Sequence, residues 1–148
     1  MPEQRVLTAR GTVYPWQCDH MGHMNVMWYV GKFDEATWHL LALMGFTPEY
    51  LKTQHRGMAA VEQHLTYRSE LRAGDLITIY SQVLEVREKT IRFVHEMKRQ
   101  DSGLVAATTT LIGVHIDTVS RKSAPIPADI KAKIEAMISD TKAAGHSL

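Results

Sequence analysis

The 148-residue sequence contains one cysteine, Cys18, so an internal disulfide is excluded. Its first residues, Met-Pro-Glu-Gln-Arg, lack the apolar core of a secretory signal, and we expect a cytoplasmic protein. No apolar run is long enough to cross a bilayer, because charged residues such as Lys32, Asp34 and Glu35 interrupt the best candidates. We therefore expect a soluble protein without a membrane partner.

An excess of charge of one sign is absent as well. Seventeen basic and sixteen acidic residues give a formal net charge of +1, which removes the electrostatic footprint of a dedicated nucleic-acid binder. The sequence also has no internal repeat, low-complexity tract or linker. Its length suits one hydrophobic core, so we expect residues 1–148 to form a single domain.

Apolar or small residues recur at a three-and-four spacing after residue 25, as in a helix with one buried face. The members of this stripe are Val26, Tyr29, Val30, Phe33, Ala36, Thr37, Leu40 and Met44. Asn25 is a good N-cap, and Gly45 can adopt the left-handed conformation that ends a helix. The sequence predicts one long buried helix from Val26 to about Met44.

Five β-like segments flank this helix, at residues 5–14, 58–70, 76–86, 90–99 and 105–117. Short turns separate the last four segments, which favours antiparallel neighbours in a meander. We also expect a short helical segment over residues 48–53 and a frayed end from Gly145. A short C-terminal helix is marked by Ile130, Ile134, Met137 and Ile138.

The pattern predicts an α+β fold in which a curved, five-stranded, mainly antiparallel sheet wraps one long central helix. One helix cannot cover all of such a sheet. The segment at 76–86 is apolar on both faces and has the residues Leu76, Ile77, Ile79, Val83, Leu84 and Val86. We expect a homodimer, or a homotetramer built as a dimer of dimers, to cover the remaining surface.

Asp19 lies a few residues before the predicted helix, across a turn that Gly22 permits. The first N–H groups of a helix lack intrahelical partners and carry partial positive charge, which stabilises an oxyanion. A carboxylate beside a carbonyl that the helix start polarises indicates acyl transfer to water. The alternative is that Asp19 only caps the turn or the helix.

Residues 19–29 contain the pattern Asp-x-x-Gly-His-x-Asn-x-x-x-Tyr, which resembles the hotdog-fold acyl-CoA thioesterases of the 4-hydroxybenzoyl-CoA thioesterase type. Residues 67–75 resemble the strand end and turn that these enzymes place after their central helix. The resemblance implies a hotdog fold and hydrolysis of an acyl-CoA thioester. It implies no cofactor, because coenzyme A is part of the substrate. The sequence departs from the family pattern at Gln17 and at residues 26–28.

The resemblance assigns Asp19 as the catalytic carboxylate, either a general base for water or a nucleophile, and the backbone N–H of Val26 as the oxyanion donor. His23 either orients the substrate and tunes Asp19 or is only a loop residue. Asn25 is either a structural helix cap, whose role in catalysis is then indirect, or itself a catalytic group. Asp19, His20 and His23 are also possible zinc ligands, but their spacing is short and we expect no metal.

Aromatic residues cluster around the same join, and we expect Trp16, Trp28 and Tyr29 to contact the substrate. Aromatic faces attract quaternary ammonium groups, although the same residues also serve as ordinary core. Some hotdog thioesterases take a second polar group from the partner subunit, which suggests Glu62 or Gln63. Basic residues near strand ends are candidates for the coenzyme A phosphates, namely Arg87, Lys89, Arg99, Arg121 and Lys122.

We therefore predict hydrolysis of an acyl-CoA thioester with a small or medium acyl group. Residues 111–118 resemble the closing strand of thioesterases of carnitine breakdown, so a betainyl-CoA thioesterase is a narrower hypothesis. A hotdog hydratase or dehydratase, with Asp34 or Glu35 acting beside His23, is the enzymatic alternative. A non-catalytic acyl-CoA binding module is the third hypothesis.

Overall fold

A computed structural model describes residues 5–146, with side chains through residue 140. The strands are β1 Val6–Thr12, β2 Arg56–Tyr67, β3 Leu76–Val86, β4 Thr90–Arg99, β5 Val105–Asp117 and the two-residue β6 Lys122–Ser123. The helices are α1 Val26–Met44, α2 Pro48–Thr53 and α3 Ala128–His146, and a short 3-10 turn covers Pro15–Gln17. Within the described residues, no helix is both long and apolar enough to span a membrane.

Helix α1 has the ends that the sequence predicts. The side chain of Asn25 accepts a hydrogen bond from the backbone N–H of Met27, and Gly45 ends the helix with a φ of 117°. The buried face of α1 contains Tyr29, Phe33, Ala36, Leu40, Leu41 and Met44. This face packs into the sheet and contributes to both hydrophobic core clusters.

The sheet has the strand order β1-β3-β4-β5-β2, with β6 beside β5, and every pair is antiparallel. The expected meander holds for β3, β4 and β5 but is wrong for β2, which pairs with β5 instead of β3. The reason is the connection at residues 68–75, which crosses the end of the sheet. Its Leu71 is buried and accepts a hydrogen bond from Met24 N–H, while Arg68 and Ser69 both donate to the carbonyl of Ala106.

A dimer was expected because one helix cannot cover the whole sheet and the strand at 76–86 is apolar on both faces. Helix α3 changes this reason, because it covers part of that strand within the protomer. Ile130 and Ile134 of α3 join Val83 in the second core cluster, so α1 and α3 together cover the inner face of β3. The uncovered strand is β2, where residues 60–64 are all exposed. The C-terminal helix is confirmed and continues through Gly145 to His146, whereas residues 147 and 148, where we also expected fraying, lie outside the described part.

Candidate active site

A tight turn before α1 holds Asp19 in place. Cys18 and Met24 form an antiparallel bridge, and between them Asp19 N–H donates to the carbonyl of His23 at 3.1 Å. Gly22 N–H donates to the carbonyl of Asp19 at 3.0 Å, and the φ of +87° at Gly22 is one that glycine adopts without strain. Because the side chain of Met24 is fully buried, the far side of this turn is anchored in the core.

Both carboxylate oxygens of Asp19 accept hydrogen bonds. Oδ1 accepts from Met21 N–H at 2.9 Å, and Oδ2 accepts from the side-chain amide of Asn25 at 2.9 Å. These bonds, with the amide of Asn25 as the larger cause, hold the pKa of Asp19 below its ordinary value of 3.8. Asp19 is therefore an oriented, ionised carboxylate at neutral pH.

Asn25 joins this carboxylate to the start of α1. Its Nδ2 donates to Asp19, while its Oδ1 accepts from Met27 N–H at 3.0 Å. The helix-cap role expected for Asn25 is confirmed. The second contact means that the same amide group also orients the candidate catalytic carboxylate.

The backbone N–H of Val26, the first residue of α1, is available to a ligand. Within residues 5–146 it donates to no acceptor, and the side chain of Val26 is 54% exposed. A depression of about 270 Å³ lies against it and is lined by His23, Met24, Val26, Tyr29, Tyr67, Arg68, Ser69 and Glu70. An unpaired N–H at the positive end of a helix is a suitable donor for a carbonyl oxygen that gains negative charge.

His23 borders this depression. Its Nδ1 lies 3.3 Å from the carbonyl of Met24, and its Nε2 lies 3.8 Å from Oε1 of Glu70. Glu70, Tyr67 and Ser69 also line this depression and are not predicted as site residues from the sequence. The only signal for them was the family-like segment at 67–75, because strand parity does not reveal that this segment folds back against the helix start.

The three aromatic residues that were expected to contact the substrate do not line one shared site. Trp16 is 68% exposed and stacks on Tyr14, with ring centroids 4.5 Å apart. Trp28 is half-buried against the first core cluster. Tyr29 lines the depression and meets the ring of Tyr67 edge-on at 5.1 Å. Of the three, only Tyr29 borders the depression beside Val26.

Gln63 and Asp34 border a different cavity, between α1 and β2, with a volume of about 120 Å³. The amide of Gln63 donates to Oγ1 of Thr109 at 3.2 Å, while Glu62 is exposed and does not line the cavity. Glu35 borders a third depression. Since His23 borders neither of these spaces, the structure does not bring it together with Asp34 or Glu35 as a hydratase pair requires.

The remaining candidates are the possible zinc ligands and the basic residues expected to bind coenzyme A phosphates. Among the described residues, no three His, Cys, Asp or Glu side chains form a group suited to a metal ion, including Asp19, His20 and His23. Of the basic candidates for coenzyme A phosphates, Arg87 pairs with Glu85 at 3.3 Å. Arg99 pairs with Asp101 at 3.2 Å, so both cations already have acidic neighbours.

The sequence matches the Thioesterase-like superfamily over residues 13–134, and the chain belongs to this superfamily. It is 26% identical over 134 residues to the betainyl-CoA thioesterase of Pseudomonas aeruginosa, covering 90% of this chain and 84% of that protein. It is also 31% identical over 117 residues to the L-carnitine dehydrogenase/betainyl-CoA thioesterase of Rhizobium meliloti. That match covers 79% of this chain but only 23% of the longer relative.

Solved structures share the fold. A hypothetical protein from Staphylococcus aureus, determined in complex with CoA, matches with a TM-score of 0.84 and 22% identity over 91% of this chain and 85% of that chain. The 1,4-dihydroxy-2-naphthoyl-CoA thioesterase from Synechocystis matches with a TM-score of 0.75 and 17% identity, over 86% of this chain and 94% of that one. The predicted hotdog thioesterase fold is confirmed, and the family agrees with the predicted thioester hydrolase.

Proposed function

We propose that this protein hydrolyses an acyl-CoA thioester to a free acid and coenzyme A. The observation that carries the proposal is the amide of Asn25, which links the ionised carboxylate of Asp19 to the helix start where Val26 N–H is unpaired. The motif at residues 19–29 supports a place among enzymes of the 4-hydroxybenzoyl-CoA thioesterase type. Thioesterase relatives and the superfamily support the reaction itself.

In the proposed reaction, the thioester carbonyl oxygen accepts a hydrogen bond from Val26 N–H, which stabilises the negative charge of the tetrahedral intermediate. Asp19 either removes a proton from the attacking water or attacks the carbonyl itself. The second route gives a mixed anhydride that water then hydrolyses. In both routes the carbon–sulfur bond breaks, the coenzyme A thiolate takes a proton, and one water is consumed. His23 orients the substrate in the depression.

The proposal includes a second subunit. Residues 60–64 of β2 are exposed at the edge of the sheet, and an exposed edge strand of this length is normally covered in solution. A homodimer, or a pair of dimers, places the pantetheine arm between subunits and brings Glu62 or Gln63 toward the neighbouring site. We further infer that residues 1–148 form one domain and that the enzyme acts in the cytoplasm.

A small or medium acyl group is proposed, and betainyl-CoA is the narrower candidate, because the relatives from Pseudomonas aeruginosa and Rhizobium meliloti are named for that activity. A hydratase is less well supported, since Asp34 and Glu35 border other spaces than His23. A binding module without turnover predicts tight binding of acyl-CoA and no release of thiol.

Asp19→Asn is expected to keep the fold, because the two side chains are nearly isosteric, and to lower kcat by about two orders of magnitude or more. The measurement is free-thiol release from a panel of acyl-CoA thioesters, with circular dichroism to check folding. Asp101→Asn is the matched control, since Asp101 is an exposed turn carboxylate away from the depression. Near-normal turnover in folded Asp19→Asn would exclude Asp19 from the mechanism.

A further inference from the structure

The depression beside Val26 contains one acidic side chain, that of Glu70, and the reaction described above gives this side chain no role. Among the described residues, Glu70 is the only Asp or Glu that lines the depression. Asp19 does not line it, although its carboxylate accepts a hydrogen bond from Asn25, the residue before Val26. A water molecule inside the depression is therefore bordered by the carboxylate of Glu70 and not by that of Asp19.

The backbone holds Glu70 at this depression. On one side of it, Ser69 N–H donates to the carbonyl of Ala106 at 3.1 Å. On the other side, the carbonyl of Leu71 accepts from Met24 N–H at 2.7 Å, and the side chain of Leu71 is fully buried. These contacts fix the backbone of Glu70 relative to the turn before α1, although the side chain itself is 58% exposed.

The carboxylate of Glu70 has one oxygen that can accept a hydrogen bond from water. Oε2 accepts from Nη2 of Arg72 at 3.1 Å. Oε1 lies 3.8 Å from Nε2 of His23, which is longer than a direct hydrogen bond, so its lone pairs are available to a water. A carboxylate that accepts a hydrogen bond from a water orients it and can take its proton as a general base.

Two carboxylates suit the route in which Asp19 attacks the substrate. In the first step, an oxygen of Asp19 bonds to the thioester carbonyl carbon, the carbon–sulfur bond breaks and coenzyme A leaves as a thiolate. In the second step, a water attacks the acyl carbon of the mixed anhydride, and the bond to Asp19 breaks. One proton of this water passes to Glu70 and then through solvent to the thiolate, which gives the free acid, coenzyme A and the starting enzyme.

We propose that Glu70 is a second catalytic carboxylate, the general base for the water that hydrolyses the anhydride formed on Asp19. The inference rests on the proposed thioester hydrolysis and selects the route in which Asp19 is the nucleophile. An anhydride reacts with water more readily than a thioester does, so a carboxylate is a sufficient base for this step.

Glu70→Gln tests the proposal, because it keeps the shape of the side chain and removes the base. The substrate is the acyl-CoA of the panel that the unaltered protein hydrolyses fastest. Rapid-mixing measurement of thiol release is expected to show a burst of about one thiol per active site. The steady rate after the burst is expected to be lower than that of the unaltered protein by about a hundredfold or more.

The same reaction is followed by mass spectrometry of the intact protein after an acid quench. Glu70→Gln is expected to gain the mass of one acyl group, because the first step proceeds and the second is slow. Asp19→Asn is expected to show neither the burst nor the added mass, since it lacks the nucleophile. Glu70→Asp keeps the negative charge and is expected to recover part of the steady rate.

Glu88→Gln is the matched control, because it removes an exposed carboxylate in the turn between β3 and β4, away from the depression. It is expected to keep the rate of the unaltered protein. Circular dichroism checks folding, and Glu70→Ala serves as a second variant if Glu70→Gln folds poorly.

The outcomes separate this proposal from the proposed function. A near-normal steady rate in the folded Glu70 variants overturns the role of Glu70, and so does slow turnover without a burst or an acyl adduct. In both cases the unaltered protein still hydrolyses thioesters, and the proposed function remains intact. No thiol release by the unaltered protein from any member of the panel contradicts the proposed function, and the role of Glu70 with it.

Discussion

At the scale of single residues, Asn25 serves two purposes with one amide group. Its oxygen caps α1 by accepting Met27 N–H, and its nitrogen donates to Asp19. The cap affects stability, whereas the bond to Asp19 affects the orientation and the pKa of the carboxylate. The two roles can be separated, because they use different atoms of the same side chain.

Asn25→Ser is expected to keep the cap, since a serine hydroxyl accepts the same N–H, and to remove the donor to Asp19. The pKa of Asp19 is then expected to rise toward 3.8, because the largest cause of its depression is gone. A carboxyl-carbon NMR titration measures this pKa, and free-thiol release measures the accompanying loss of kcat.

Asn25→Ala is the companion variant, because it removes both contacts. It is expected to raise the pKa of Asp19 to the same extent and also to cost about 0.5–2 kcal/mol of stability, the usual cost of a lost N-cap. If Asn25→Ser leaves the pKa of Asp19 and kcat unchanged, the amide of Asn25 is only a cap.

At the scale of elements, a buried polar chain ties α1 to the sheet. Oγ1 of Thr37 lies 2.8 Å from Nε2 of His95, and Nδ1 of His95 lies 2.6 Å from Oγ of Ser81. Ser81 in turn lies 2.7 Å from Oγ1 of Thr8 on β1. His95 is fully buried, and burial lowers its pKa from 6.5 to about 3. The chain joins α1, β4, β3 and β1, and burial keeps the histidine at its centre neutral at neutral pH.

This chain predicts a pH dependence of stability. The unfolded protein binds a proton at His95 below pH 6.5, whereas the folded protein does not until about pH 3. Stability should therefore fall as the pH falls below 6.5, by about 1.4 kcal/mol per pH unit from this residue. Urea unfolding at fixed protein concentration, from pH 6.5 to about pH 5, measures the slope.

His95→Gln is expected to reduce that slope, since glutamine does not titrate. His39→Gln removes an exposed histidine of α1 and is the control, with a slope close to that of the unaltered protein. Equal slopes in all three proteins would show that His95 does not contribute to acid sensitivity.

A second buried histidine holds the closing strand to its neighbours. Nε2 of His115 on β5 lies 3.0 Å from the hydroxyl of Tyr50 on α2, and its Nδ1 lies 2.9 Å from the carbonyl of Ala124. Burial lowers the pKa of His115. The segment at 111–118 resembles the closing strand of thioesterases of carnitine breakdown. At least one of its residues, His115, makes contacts that hold the fold together.

At the scale of the whole molecule, one edge of the sheet is unprotected. β2 lies at the end of the strand order, and its residues 60–64 are exposed. Val61 sits at a bulge in this strand and is 61% exposed. The opposite edge strand, β1, is shorter and has Thr8 buried. The β2 edge is therefore the better candidate for contact with a second copy.

Val61→Lys is expected to weaken the proposed dimer, with a dissociation constant raised about tenfold or more, because a charge replaces an exposed apolar side chain at the β2 edge. Sedimentation velocity over a range of concentrations measures this change. Val119→Lys is the control, since Val119 is 76% exposed in the turn after β5. An active monomer at assay concentration, in the unaltered protein, would contradict the need for a partner.

The sequence by itself determined the elements whose signals are local. The limits of α1 follow from Asn25 and Gly45, because a cap and a left-handed glycine act on the adjacent turn of backbone. The limits of β3, β4 and β5 follow from alternation and turn residues in the same way. Asp19 could be proposed as the catalytic carboxylate for a similar reason, because its motif is contained in one short segment.

Only the tertiary structure decided what depends on distant packing. The position of β2 beside β5 follows from the crossing at residues 68–75, whose anchors, Met24 and Ala106, are remote in sequence. The same crossing brings Glu70 to His23, and the packing of β2 near α1 places Asp34 at the border of a cavity. Periodicity assigns a residue to a face, but the partners of that face are set by the whole chain.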